Sequence, residues 1–195
     1  MDKLGITKEK ANRLVSEYVK DPVTRLHLLE SEAIMRALAK HLGEEGEEWG
    51  TIGLLHDIDW DLTKNDQTKH CVKAIEILRN AGASEYLVET IQSHGWANEM
   101  IPDLFNKKRT TKIQHCLVAA ETLTGIIVAA ALVQPDKKLA SVMLKSLKRK
   151  FKDKSFAAKC DRGLVRECEL AGIPLDMFLE IGLNALKRIS DKLGL

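Results

Sequence analysis

The side chains best suited to chemistry in this sequence are histidines and carboxylates placed where apolar residues belong. By helical phase, His27 shares a face with Val23, Ile34 and Leu38. His56 continues the stripe of Trp49 and Ile52, His70 heads that of Ala74, Ile77 and Ala81, and His94 follows Leu87 and Ile91. Glu121 is the one charged residue between Leu117 and Val133, and Asp57 sets a second carboxylate beside His56. An ionisable group on a buried face is costly unless something inside the fold satisfies it. Taken alone, an inward histidine reads as a hydrogen-bonded core residue, and a buried glutamate as the partner of an arginine. Four histidines and two carboxylates projecting inward from five helices exceed what core hydrogen bonds satisfy. A divalent first-row ion satisfies them directly, since imidazole and carboxylate are suitable ligands and the cation balances Asp57 and Glu121. Adjacent residues do not share a helix face, so His56 and Asp57 meet one ion only near a helix terminus. By the same rule Cys71 and Cys116 are expected to face away from the histidines beside them.

The elements that must position these groups are helices. Thr7 to about Val19 is amphipathic, and Asp21-Pro22 caps and opens a second helix that runs to Leu42 and stops at Gly43. A third starts near Glu47 and reaches His56-Asp57. Residues 58–65 are rich in aspartate without helical period and read as a loop. Asp66 or Thr68 caps a helix to Ala81, Ser84 one to about His94, and Thr110 or Thr111 a long one ending before Pro135. Three more are expected over about 137–150, 155–171 and 174–193. No alternating segment is long enough for a sheet. The expected fold is all-α, a single domain over 1–195 with a core of about 22–134 and a helical extension of about 136–195.

Composition narrows the function classes. With 195 residues, 45% hydrophobic, the chain can bury a sizeable core, and its net charge of +2 gives no field for nucleic acid or a membrane surface. The first residues carry charges where a signal peptide needs an apolar core. The apolar run from Leu117 is short for a membrane span and contains Glu121, so it reads as a core helix. Four cysteines without a CxxC spacing fit reduced thiols in a cytoplasmic protein. Of the other histidines, His41 lies about 21 Å along the helix from His27, and His115 about 120° around the helix from Glu121. Both read as peripheral.

The order of His27, LLHDID with His56 and Asp57, His70, SHG with His94, and AAETLTG with Glu121 resembles the HD-domain superfamily of metal-dependent phosphohydrolases. The resemblance covers roughly Thr24 to Leu132. It implies an HD-type helical bundle in which His27, His56, Asp57 and Glu121 hold one ion, and His70 and His94, with Asp57 bridging, a second. Glu121 stands where the family usually has Asp, and Asp59 where it often has the glycine of HDIG. The implied reaction is attack on phosphorus by hydroxide generated at the metal, with Asp57, Asp59 and Asp61 as catalytic groups. The substrate is a nucleotide or other small phosphate ester, with Arg25, Lys64 and Lys138 as candidate phosphate contacts. The N/O ligand set suits one or two Fe, Mn, Co, Ni or Zn ions better than Mg. Two other readings carry distinct signatures: a di-iron oxygenase of the same superfamily, and a non-catalytic HD-type interaction module.

Overall fold

Capping chemistry sets the frame of the molecule. The structure, a computed structural model, describes residues 3–195. Thr7 accepts the Lys10 N–H and opens α1, Lys8–Tyr18. Asp21 accepts the Val23 N–H at 2.9 Å, and Pro22 opens α2, Pro22–Leu42, which Gly43 ends at φ +73°. α3, Gly46–Leu55, delivers the chain to His56. Ser84 caps α6, Glu85–Gln92, and the Gln114 carboxamide accepts the N–H groups of Thr110 and Thr111 at the start of α7, Lys112–Leu132. Among the described residues every regular element is helical.

Five stretches depart from the periodicity. The aspartate-rich segment after His56 contains a short helix, α4, Trp60–Thr63. The helix expected from Asp66 begins only with α5, Lys73–Asn80, because the chain makes a 3-10 turn at Gln67–Lys69 and Cys71 then takes φ +63°. Beyond α7, a turn at Leu139–Ser141 delays α8 to Leu144–Lys152. The expected helix over 155–171 reduces to α9, Arg162–Arg166, and the turn Glu167–Glu169. The segment before α9 is irregular because the Arg162 guanidinium donates to the carbonyls of Ala157 and Cys160 at 2.6 and 2.7 Å, and also to that of Phe156. The last expected helix divides into α10, Leu175–Lys187, and α11, Ser190–Leu193.

α2 and α7 form the centre of the bundle. α2 packs against α3, α7 and α10, and α7 also takes α8 and α9. On these two helices Leu28, Ile34, Leu38, Leu117, Leu123 and Ile127 are fully buried, each worth roughly 1.5–3 kcal/mol against exposure. Val23, expected on the inner face with His27, is 72% exposed. α2 and α3 approach so closely that a Cβ at Gly53 would lie 2.7 Å from the Ser31 carbonyl oxygen. α7 is long and apolar enough to cross a membrane by length and composition, and 61% of its most apolar stretch is covered by the rest of the chain.

The extension is fastened to this core by charge as well as by apolar contact. The Arg109 guanidinium, 6% exposed, meets Glu167 at 2.7 and 2.6 Å and donates to the carbonyls of Ser93 and Trp96 at 2.8 and 2.7 Å. The second oxygen of Glu167 also faces His115 Nδ1 at 2.8 Å. Burial works to raise the Glu167 carboxyl, but Arg109 and His115 outweigh it and hold it below its ordinary value. Removing one partner of a buried ion pair strands the other charge. Glu167→Ala is therefore expected to cost about 3 kcal/mol, lowering Tm by roughly 6–12 °C at pH 7. Because the folded-state value is depressed, the pair's contribution is present above the unfolded value of about 4.5 and fades as pH falls below it. Thermal denaturation of both proteins across pH 3–8 checks size and sign together.

Candidate metal centre

The six sequence-selected ligands come from five places in the chain. His27 is on α2, His56 and Asp57 follow the last turn of α3, His70 follows the 3-10 turn Gln67–Lys69, His94 lies in the turn Ser93–Gly95, and Glu121 is on α7. Each histidine uses its Nδ1 on a group behind it. His56 Nδ1–H donates to the Gly53 carbonyl at 2.8 Å, and His94 Nδ1–H to the Ile91 carbonyl at 2.6 Å. His70 Nδ1 meets the Asp59 carboxylate at 2.9 Å. His27 Nδ1 meets the Thr124 hydroxyl at 3.1 Å, and that hydroxyl gives its own proton to the Glu121 carbonyl at 2.7 Å, so Thr124 accepts. With each Nδ1 so engaged, the Nε2 atoms are left facing inward, where a ring protonated on Nδ1 alone presents a lone pair.

Those lone pairs face one another. His27 and His56 bring Nε2 atoms within 3.0 Å, and His70 and His94 within 3.2 Å. Asp57 lies between the pairs. Its Oδ1 is 3.3 Å from His70 Nε2, 3.2 Å from His94 Nε2 and 3.6 Å from His56 Nε2, and its Oδ2 is 3.8 Å from His27 Nε2. Acceptor opposite acceptor in a buried site is unfavourable unless a cation lies between them. Burial pulls the His56 ring down to about 3, so it stays neutral at physiological pH. Burial works against a charge on His70 and His94 too, but Asp57 and then Asp59 raise His70, and Cys71 and then Asp57 raise His94. Charging both would set two cations 3.2 Å apart. Burial also opposes the Asp57 carboxylate, and the surrounding histidines hold it well below the usual range regardless. A divalent ion in each group satisfies every lone pair at once, and the donor set fits one.

The structure also sorts the remaining candidates. His27, His56 and Asp57 form one tight group that could hold a metal, with ligand atoms within 4.8 Å of one another. Glu121 stands apart from it on the wall of the adjoining cavity, one oxygen accepting the Thr122 hydroxyl at 2.6 Å, and burial raises its carboxyl. The second tight group is His70, His94 and Cys71. Helical phase had placed Cys71 on another face, and the left-handed backbone at that residue turns it back toward His70. Asp59 is fully buried behind His70, its other oxygen taking the Ala74 N–H at 2.9 Å, so it positions the ring and does not reach the cavity. Asp61 accepts the N–H groups of Lys20 and Asp21 at 2.6 and 2.9 Å and ties down the turn before α2.

The expected phosphate contacts point elsewhere. Arg25 is exposed and donates to the Val19 carbonyl, Lys64 pairs with Asp61 and Asp21, and Lys138 lies against the Gly194 carbonyl. None of the three lines the cavity of about 470 Å³ that His27, His70 and Glu121 border. Its wall includes Lys159 and Cys160, from an irregular segment within the helix expected over 155–171, so helical phase does not single them out. His41 is exposed and His115 is engaged with Glu167, so both lie outside the centre.

The family model of the HD domain matches residues 24–131, more than half of the sequence. The chain belongs to the HD-domain family. Among curated proteins and solved structures, none matches it. The HD match opens within α2 and closes near the end of α7, so it spans all six ligand candidates and leaves the extension outside. The HD superfamily consists mostly of metal-dependent hydrolases, and the two groups found here could hold its divalent metals.

An ion held by these groups binds the folded chain and not the unfolded one. Mn²⁺, Fe²⁺ or Zn²⁺ at a hundredfold excess over its dissociation constant is expected to add about 2.7 kcal/mol, a rise in Tm of roughly 5–10 °C. Differential scanning fluorimetry of chelator-stripped protein with and without each ion checks this; an unchanged Tm with all three refutes it.

Proposed function

We propose that this HD-domain protein is a metal-dependent phosphohydrolase acting on a nucleotide or another small phosphate ester. The observation that carries the reading is the Asp57 carboxylate lying between two pairs of imidazole lone pairs, an arrangement suited to two neighbouring divalent ions. His27, His56, Asp57 and Glu121 would hold one ion, and His70 and His94, with Asp57 bridging, the other. Such ions, when bound, polarise a phosphoryl oxygen and lower the pKa of water to roughly 7.

The chain's own groups supply binding and orientation. The cavity of about 470 Å³ lies in the range of small-ligand pockets. Trp60, Met100 and Leu164 give it apolar walls, and Asn98 and Gln67 add neutral polar groups. Among the described residues that border it, Lys159 is the one lysine or arginine, so it is the charge available to a phosphate beyond the metals. Thr124, Gly53, Asp59 and Ile91 keep the four rings aimed inward, which preserves the spacing between ligand groups while a substrate binds.

The test is phosphate release from a panel of phosphomonoesters, dinucleotides and cyclic nucleotides, paired with elemental analysis. Wild-type protein reconstituted with Mn²⁺ or Fe²⁺ is expected to hydrolyse at least one class, and Asp57→Asn to lose both bound metal and turnover. Two irons with a visible absorption band and no turnover of any phosphoester would instead favour oxygen chemistry. Lys159→Ala is expected to raise KM about tenfold, or about 1.4 kcal/mol of substrate binding, while metal content stays at the wild-type level. Steady-state kinetics on the best substrate of the panel reads that split.

A further inference from the structure

One buried nucleophile lies in the second tight group and has no part in the ligand set of the proposed function. Cys71 is fully buried, and its Sγ lies 3.4 Å from Nε2 of His94, the nitrogen that the Ile91 carbonyl leaves with a lone pair. Three features single it out. The first is spacing. Tetrahedral coordination with Zn–N near 2.0–2.1 Å and Zn–S near 2.3 Å puts neighbouring nitrogen or oxygen ligands about 3.3 Å apart, and sulfur about 3.6 Å from nitrogen. The observed separations are 3.2 Å for His70 to His94, 3.3 and 3.2 Å from Asp57 to those rings, and 3.4 Å from Cys71 to His94. The second is the backbone. Cys71 sits at φ +63°, a conformation that costs a side chain about 1–2 kcal/mol and that glycine adopts freely. A cysteine there turns its sulfur to the same point as the preceding histidine, which a helix forbids. The third is the seat. A Cβ on Gly95 would lie 2.5 Å from Sγ, so the residue after His94 leaves room for the sulfur and for little else.

We propose that Cys71 is a fourth protein ligand, as thiolate, to the ion held by His70, His94 and Asp57, and that this position selects a borderline-soft divalent ion such as Zn²⁺, Fe²⁺ or Co²⁺ over Mg²⁺ and Mn²⁺. The proposal rests on the metal-centre reading above and adds a ligand to it. On binding, the S–H bond breaks, its proton leaves to water, and the sulfur electron pair forms the metal–sulfur bond, with no change of oxidation state. A thiolate in place of an oxygen ligand shifts preference toward softer ions.

Cobalt reports the bond directly. Stripped full-length protein titrated with Co²⁺ is expected to develop a near-ultraviolet thiolate-to-cobalt charge-transfer band with one of its two equivalents, alongside the visible ligand-field bands. Cys71→Ser should abolish that band and weaken uptake of the equivalent by more than the roughly 10–100-fold that loss of an outer partner costs. Cys160→Ser, at the thiol that borders the cavity, should keep both. The wild-type spectrum decides the matter even if Cys71→Ser folds poorly, and circular dichroism shows whether it does. Two equivalents bound without a charge-transfer band, or a band that survives Cys71→Ser or vanishes with Cys160→Ser, overturns the Cys71 assignment and leaves the metal centre standing. No cobalt uptake by the wild type overturns both.

Discussion

Four imidazole Nε2 atoms and a carboxylate converge in the interior of this protein, and the fold around them is arranged so that none can turn away. Each Nδ1 is already committed: to a carbonyl for His56 and His94, to a buried carboxylate for His70, and to a hydroxyl for His27. Rotating any ring to relieve the contact in front breaks the hydrogen bond behind it and leaves a buried acceptor without a partner, at about 1–3 kcal/mol. A cation bound among these groups would be satisfied by the same atoms that the hydrogen bonds hold in place. Stability and metal affinity are therefore two readings of one free energy.

The helix ends make this possible. The last carbonyls of a helix have no partner within it. His56 Nδ1–H caps the carbonyl of Gly53 in the last turn of α3, and His94 Nδ1–H caps that of Ile91 in the last turn of α6. One hydrogen bond thus satisfies the helix terminus, fixes the tautomer and aims Nε2 inward. It also explains how consecutive residues can serve one centre. His56 and Asp57 lie where α3 gives way to a turn, and His70 and Cys71 lie where the backbone leaves a 3-10 turn through a left-handed residue. In the interior of a helix, either pair would diverge by about 100°.

The parts legible in the sequence are those governed by local chemistry. Asp21-Pro22 and Gly43 bound α2 to the residue, and Ser84 marks the start of α6, because caps act within a few positions. The inward histidines were legible because charge on an apolar stripe needs an internal partner. The breaks at Cys71 and before α9 were not, because tertiary contacts make them: the seat at Gly95 for the thiol, and the Arg162 guanidinium gathering carbonyls from the irregular segment before it. Nearness in sequence was also a poor guide to cations. Lys64 is close to the ligands along the chain, yet its charge is drawn to Asp61 and Asp21, while Lys159, far away in sequence, borders the cavity.

That last contrast gives the extension its place in the design. Residues 132–195 lie outside the HD match, yet they touch the centre from two sides. Behind it, Glu167 holds Arg109, and Arg109 grips the carbonyls on either side of His94, so the turn that carries one ligand is braced by a residue from the extension. In front of it, the irregular segment that Arg162 holds in shape brings Lys159 and Cys160 to the cavity wall. A helix through this segment would satisfy its carbonyls internally and leave Arg162 without them. The guanidinium takes over that work, and the chain is free to bend across the opening. The HD core thereby supplies the candidate ligands, while the extension shapes the space in front of them.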